Sequence, residues 1–130
     1  YNNYSILGIC VGMQALFNGS EEGIEKGLGF FNFKCKKFDY IKKKVPHIGW
    51  NQANIKKNNK LFQNIKNRYF YFAHSYYIEQ INEDFTISTT DYINQFVSSI
   101  SSDNIYGVQF HPEKSFDQGK MIFKNFIELC

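Results

Sequence analysis

Proline is scarce in this chain, with Pro46 and Pro112 the two examples in 130 residues, and no stretch is rich enough in proline, glycine or serine to act as a linker. With no internal repeat and no low-complexity tract either, residues 1–130 are expected to form one domain. No apolar run approaches the length needed to span a bilayer, and no signal-peptide pattern opens the sequence, so the expected setting is cytoplasmic, with no membrane partner. Cysteine is limited to Cys10, Cys35 and Cys130. An odd number without a C-x-x-C spacing argues against a disulfide framework and against a zinc site, and no metal is expected. What is present is ordinary for a globular fold: 43% hydrophobic residues and a net charge of +3. That charge comes largely from Lys34, Lys36 and Lys37, Lys42 to Lys44, and Lys56, Lys57 and Lys60. Basic clusters beside Phe38 and Tyr40 are open to a nucleic-acid reading. A chain-wide richness in Lys, Asn, Ile, Phe and Tyr explains them more simply, and no nucleic-acid partner is expected.

The informative segment is Gly8-Ile9-Cys10-Val11-Gly12, behind the apolar run Tyr4 to Leu7 and ahead of the helix-like Met13 to Phe17. A cysteine between two glycines at a strand-to-helix turn has the layout of a nucleophile elbow, in which the reactive residue takes a strained backbone and the flanking glycines make room. Such a thiol sits at a helix N-terminus, where unpaired N–H groups favour the thiolate, and the amide of Val11 is placed to donate to an oxyanion. A structural cysteine at a helix start has the same local pattern, so a second element is needed.

That element is Gln109-Phe110-His111-Pro112-Glu113-Lys114-Ser115. Pro112 disfavours the α conformation at His111, and in an extended segment residues i and i+2 share a side. Glu113 can then orient the imidazole of His111 and stabilise its protonated form, as a nucleophilic cysteine requires. Cys10, His111 and Glu113 are the candidate catalytic residues.

The coarse pattern is α/β with a β-rich later part: strand 4–9, helix 11–17, strands near 30–38, 48–55, 69–78, 85–90, 96–101 and 105–110, a helical turn at 61–65, and a helix at 118–129. Met121, Ile122, Phe126 and Leu129 recur at helical spacing and read as a core stripe.

Together with Pro46-His47-Ile48-Gly49-Trp50-Asn51 and His74-Ser75-Tyr76, the two motifs resemble, in order, four motifs of the class I (triad) glutamine amidotransferases. The second and fourth are similar to those of the glutaminase subunits of imidazole glycerol phosphate synthase, from histidine biosynthesis. The resemblance implies a flavodoxin-like three-layer α/β fold. It also implies glutamine hydrolysis to glutamate and ammonia through a Cys10 thioester, without a cofactor, and a heterodimer with a (β/α)₈-barrel cyclase that receives the ammonia. By the same resemblance Gln14 and Glu22 bind glutamine, Ser75 and Tyr76 present backbone groups to it, and Trp50, Asn51, Tyr71 and Lys114 face the cyclase. Each has a plainer reading: a capping glutamine, a surface acid, ordinary strand residues, a core tryptophan.

In that family the elbow strand lies inside a parallel sheet, after strands, helices and a glycine-rich turn that carries the second oxyanion donor. Only four residues precede Ser5, so an N-terminally truncated version of the fold is the expectation, with sheet edges uncovered. Two other functions stay open: a related amidotransferase feeding ammonia to another synthase, for example one aminating a sugar, and an inactive binding subunit.

Overall fold

A computed structural model describes residues 4–21, 23 and 25–130 of the chain. In order they form β1 (Ile6–Ile9), α1 (Val11–Gln14), β2 (Gly19–Ser20), β3 (Lys34–Lys37), β4 (His47–Gln52), β5 (Asn54–Ile55), a 3₁₀ turn at Lys60–Phe62, β6 (Tyr69–His74), β7 (Tyr76–Tyr77), β8 (Thr86–Tyr92), β9 (Asn94–Ser102), β10 (Ile105–Val108), a second 3₁₀ turn at Pro112–Lys114, and α2 (Phe116–Leu129). The main sheet runs β1-β10-β9-β8-β5. Its β1–β10 pair is parallel, in the register Ile6↔Ile105 to Ile9↔Val108, and the other pairs are antiparallel. Among the described residues β1 is an edge strand of this mixed sheet. Two smaller sheets, β2-β3-β7 and β4-β6, complete the β-rich part.

Helices cover both faces of the main sheet, because alternate residues of a strand point to opposite sides. On one side Tyr106 and Val108 join Phe110, Phe70, Phe72 and Ile122 of α2 in a buried aromatic core. On the other, Ile105 and Ile100 pack with Met13, Leu16 and Phe17 from α1 and the turn after it. A Cβ on Gly107 would lie 2.8 Å from Met13 and from Ile100, so the close seating of α1 on β10 needs glycine there. This is a three-layer α/β arrangement, as the sequence predicts.

Two elements differ from expectation for one reason. The helix expected over 11–17 is α-helical only for Val11–Gln14, and the strand expected from Phe30 begins at Lys34. Residues 28–31 spend their amides on α1's open end instead: Leu28 N donates to Ala15 O at 2.7 Å, Gly29 N to Phe17 O at 3.1 Å, and Phe30 N to Leu16 O at 2.9 Å. The carbonyls a short helix leaves unpaired are thereby satisfied, at the cost of strand pairing. Gly19 of β2 pairs with Lys34 of β3. In α2 the stripe is also adjusted: Ile122 is buried, Met121 and Phe126 pack against the core, and Leu129 is exposed. Asn125 is buried in its place, and its amide donates to Leu61 O and Gln63 O, tying α2 to the first 3₁₀ turn.

Candidate active site

Cys10 follows β1 directly and has φ 54 and ψ −110, a left-handed backbone costly for a non-glycine residue. Its N–H donates to Val108 O at 2.8 Å, so the parallel register fixes where the turn begins. Gly8 is required, since a Cβ there would come within 2.7 Å of the Gly12 carbonyl oxygen. Gly12 is not required by the described residues: a Cβ on it meets nothing within 4 Å, which corrects the idea that both glycines make room.

The electrostatics of the thiol also differ from expectation. Burial pushes the Cys10 pKa up; the Val11 amide and Gln109 pull it down, Glu113 raises it and Lys114 lowers it. The four-residue α1 has too few aligned peptides for a macrodipole that would outweigh desolvation, so the resting group is a thiol. The sulfur donates to Ala73 O at 3.6 Å and accepts from Gln109 Nε2 at 3.7 Å. With the Val11 amide, these are the groups among the described residues that hydrogen-bond the sulfur; His111 is not among them.

His111 lies two residues beyond Gln109, which places it at the same end of the sheet as Cys10. Its Nδ1 is 2.7 Å from Glu113 Oε2, so the two side chains are in contact. The route to that pairing differs. His111 is extended, with φ −102 and ψ 97, but Pro112–Lys114 coil into a 3₁₀ turn, and it is the turn that brings Glu113 back. The turn is pinned by Ser115, which is fully buried. Ser115 Oγ donates to His111 O at 2.7 Å and accepts from Tyr71 N at 3.0 Å, while His111 N donates to Tyr71 O at 2.8 Å. Pro112 is held from the other side by Gly119 of α2, where a Cβ would lie 1.9 Å from the proline's carbonyl oxygen.

A cleft of about 320 Å³ beside the thiol is lined by Cys10, Val11, Gln14, Pro46, Ala73, His74, Ser75 and Tyr76. Gln14, Ser75 and Tyr76 are among its lining residues. Both N–H groups of the Gln14 amide are in use, donating to Tyr76 O and to Gln109 Oε1, each at 3.0 Å. The Ser75 carbonyl accepts from Phe38 N at 3.0 Å, and the Tyr76 carbonyl accepts from His74 as well as Gln14. Glu22 lies outside the described residues.

Sequence reasoning gave the side chains of His47 and His74 no role; they form a buried pair, with His74 on the wall of the cleft. His74 Nδ1 faces the Tyr76 carbonyl at 2.8 Å and must carry the proton. Its Nε2 therefore accepts from His47 Nδ1, at 2.9 Å, and His47 Nε2 accepts from Asn51 Nδ2, at 3.2 Å. Desolvation lowers the pKa of His47 to about 4 and that of His74 to about 3, so both are neutral near pH 7. Stacking of His47 between Phe72 and Tyr92, at 4.9 and 4.1 Å, supplies the dry surroundings. No cluster of three metal-ligand residues exists among the described residues, so this pair has no third ligand. The chain buries these imidazoles in aromatic core, a placement that a short His-containing strand motif does not announce.

Of the four residues expected at an interface, three come together. Trp50 stacks on the exposed Phe116 at 5.4 Å and meets Tyr71 edge-on at 6.1 Å, and Lys114 Nζ sits 5.8 Å above the Tyr71 ring. Asn51 points to the opposite face of β4, towards His47 and Asp91 O. Strand alternation separates it from Trp50.

The family model "Glutamine amidotransferase class-I" matches residues 1–129. Imidazole glycerol phosphate synthase subunit HisH 2 of Methanococcus maripaludis is 52% identical over 125 residues, which are 95% of this chain and 62% of that protein. The HisH subunit of Pyrococcus furiosus is 52% identical over 126 residues, 95% of this chain and 64% of its own length. That of Leptospira interrogans is 45% identical over 129 residues, with 95% and 63% covered. The chain thus spans a little under two thirds of the length of these relatives. Among solved structures, one described as a GMP synthase subunit from Thermoplasma acidophilum superimposes with a TM-score of 0.64 at 28% identity, covering 96% of this chain and 56% of that one.

Proposed function

Since the chain belongs to the class-I glutamine amidotransferase family, we propose that it carries the nucleophile and base of a glutaminase serving imidazole glycerol phosphate synthesis. The observation that supports this most directly is the strand register. Ile9↔Val108 sets the strained Cys10 and the His111–Glu113 pair at the same end of two adjacent parallel strands.

The chemistry runs from that arrangement. The Cys10 thiol turns from the Ala73 carbonyl and loses its proton to His111, and the sulfur attacks the side-chain amide carbon of glutamine. The Val11 amide donates to the oxyanion that forms. The C–N bond breaks as the imidazolium gives its proton to the departing nitrogen, which leaves as ammonia. Water, deprotonated by His111, then attacks the thioester carbon, the C–S bond breaks, and glutamate leaves with the thiol restored. Glu113 holds the imidazole in place throughout.

Free ammonia would be protonated and lost in bulk water, so a partner that takes it directly suits the reaction. The aromatic patch of Trp50, Tyr71 and Phe116 with Lys114 supports docking of a (β/α)₈-barrel cyclase beside the triad turn, and the products there are imidazole glycerol phosphate and the ribonucleotide AICAR. No disulfide joins Cys10, Cys35 and Cys130, which suits a reducing, cytoplasmic setting.

The test is glutamate release from glutamine, measured with and without the cyclase and its nucleotide substrate. Release should appear or rise sharply with the cyclase present, and Cys10→Ser should abolish it while leaving cyclase binding intact. No release in either condition from folded protein rejects the glutaminase reading, and release that ignores this cyclase but responds to another synthase reassigns the ammonia acceptor.

A further inference from the structure

The side chain of Gln109 is fully buried beside the nucleophile and is used by nothing in the chemistry above. It sits immediately after β10, opposite Cys10 in the parallel pair, and its own amide N–H is anchored on Ser98 O at 2.9 Å. Its Nε2 approaches Cys10 Sγ at 3.7 Å while its Oε1 accepts from Gln14 Nε2 at 3.0 Å.

Which end of this amide meets the sulfur is settled by a chain of donors. His74 Nδ1–H and one Gln14 N–H fill the Tyr76 carbonyl, and the second Gln14 N–H is left facing Gln109. If Gln14 flipped, its oxygen would face two acceptors. If Gln109 flipped, two NH₂ groups would collide. The orientation is therefore enforced from His74 inwards, and a donor is held on the sulfur.

We propose that Gln109 is a further catalytic residue of this site, donating from Nε2 to the Cys10 thiolate, with Gln14 as the positioning residue that locks its amide. This rests on Cys10 being the nucleophile, as argued above. Ala73 O and Gln109 Nε2 act on the sulfur in opposite senses: the carbonyl accepts the S–H and favours thiol, and the amide donor favours thiolate. The charged groups acting on the same sulfur are Glu113, which opposes ionisation, and Lys114, which assists it; both lie on the triad turn.

The readout is the rate of Cys10 carbamidomethylation by iodoacetamide across a pH series. It is followed peptide by peptide in the whole chain so that Cys35 and Cys130 are scored apart. Gln109→Met keeps the volume and removes the donor. It should slow alkylation at pH 7 about tenfold and move the midpoint up by about one pH unit, the scale of a hydrogen bond to a charged group. Gln14→Met, which frees the Gln109 amide to rotate, should move the midpoint in the same direction by less. A folded Gln109→Met protein with an unmoved midpoint overturns the proposal, even if glutamate release falls. Should that variant fail to fold, an unmoved midpoint in Gln14→Met overturns it instead. Because alkylation needs no glutamine, a wild-type chain that releases no glutamate while both shifts are present rejects the proposed function and with it the catalytic role of Gln109, whereas unmoved midpoints in a chain that does release glutamate overturn the Gln109 assignment alone.

Discussion

His111 and the His47–His74 pair are imidazoles placed under opposite conditions within one small domain. His111 stands on a surface turn beside a carboxylate that is itself half exposed, where it can exchange protons with a substrate. His47 and His74 are enclosed by Phe38, Phe72, Tyr92 and Phe96, with every ring nitrogen committed to a neighbour. The contrast shows that histidine content alone locates no chemistry. What would separate a base from a strut is whether its partner is a half-exposed acid at the surface or a buried group in the core.

Exchanging the residues themselves is the sharpest way to break that contrast. His111→Asn should lower glutamate release by on the order of 10⁴-fold or more while leaving the thermal midpoint nearly unchanged, since a side-chain contact on a surface turn contributes at most about 1 kcal/mol. A large fall in the midpoint would show that His111 is structural as well.

Acid should reveal the buried pair next. Their folded pKa values lie below the unfolded value of 6.5, so above pH 6.5 both states are neutral and neither histidine makes stability depend on pH. As pH falls from 6.5 towards 4 the unfolded chain takes up protons that the folded one refuses. Stability should drop by about 1.4 kcal/mol per pH unit for each histidine still neutral in the fold. Urea midpoints from pH 7 to 4 measure this, and His47→Gln and His74→Gln should each flatten the slope. A flat wild-type profile would contradict the tautomer assignment.

Gly119→Ala addresses the support under His111. Its Cβ must displace the Pro112 carbonyl or α2, for a loss of about 1–3 kcal/mol with a further loss of glutamate release, because the turn carrying the base moves with it. Asn51→Leu trims the outer end of the buried chain and leaves His47 Nε2 without its donor, at about 1 kcal/mol by urea denaturation. A much larger cost would mean that the ordering of protons along the chain is cooperative.

Much of this site was readable in the sequence because its chemistry is local. Gly8, Cys10 and Val11 form one turn, and His111 with Glu113 form another. Gln109, His47 and His74 lay in plain view within the motifs yet their side chains acquired no role, since the Gln109–Cys10 and His47–His74 contacts cross 99 and 27 residues of chain and depend on which face of a strand each occupies. The thiolate expected at Cys10 failed on magnitude: local pattern supplies the sign of a helix-end effect, but not the burial that outweighs it. The shortened α1 and late start of β3 have a similar origin, in a competition between Phe30 to Phe31 as strand and as a cap for Leu16 that only tertiary contacts decide.

The pairing of β1 with β10 joins residues about a hundred positions apart, and the Ser5 hydroxyl reaches the carbonyl of Cys130. Contacts of such separation form late, because the loop between them must be closed first. A chain still emerging during synthesis, or one only partly collapsed, would present Cys10 without its strained turn, its donor or its base. The proposed amide cleavage would therefore arrive only with β10, the last strand among the described residues, which makes it a reporter of completed folding.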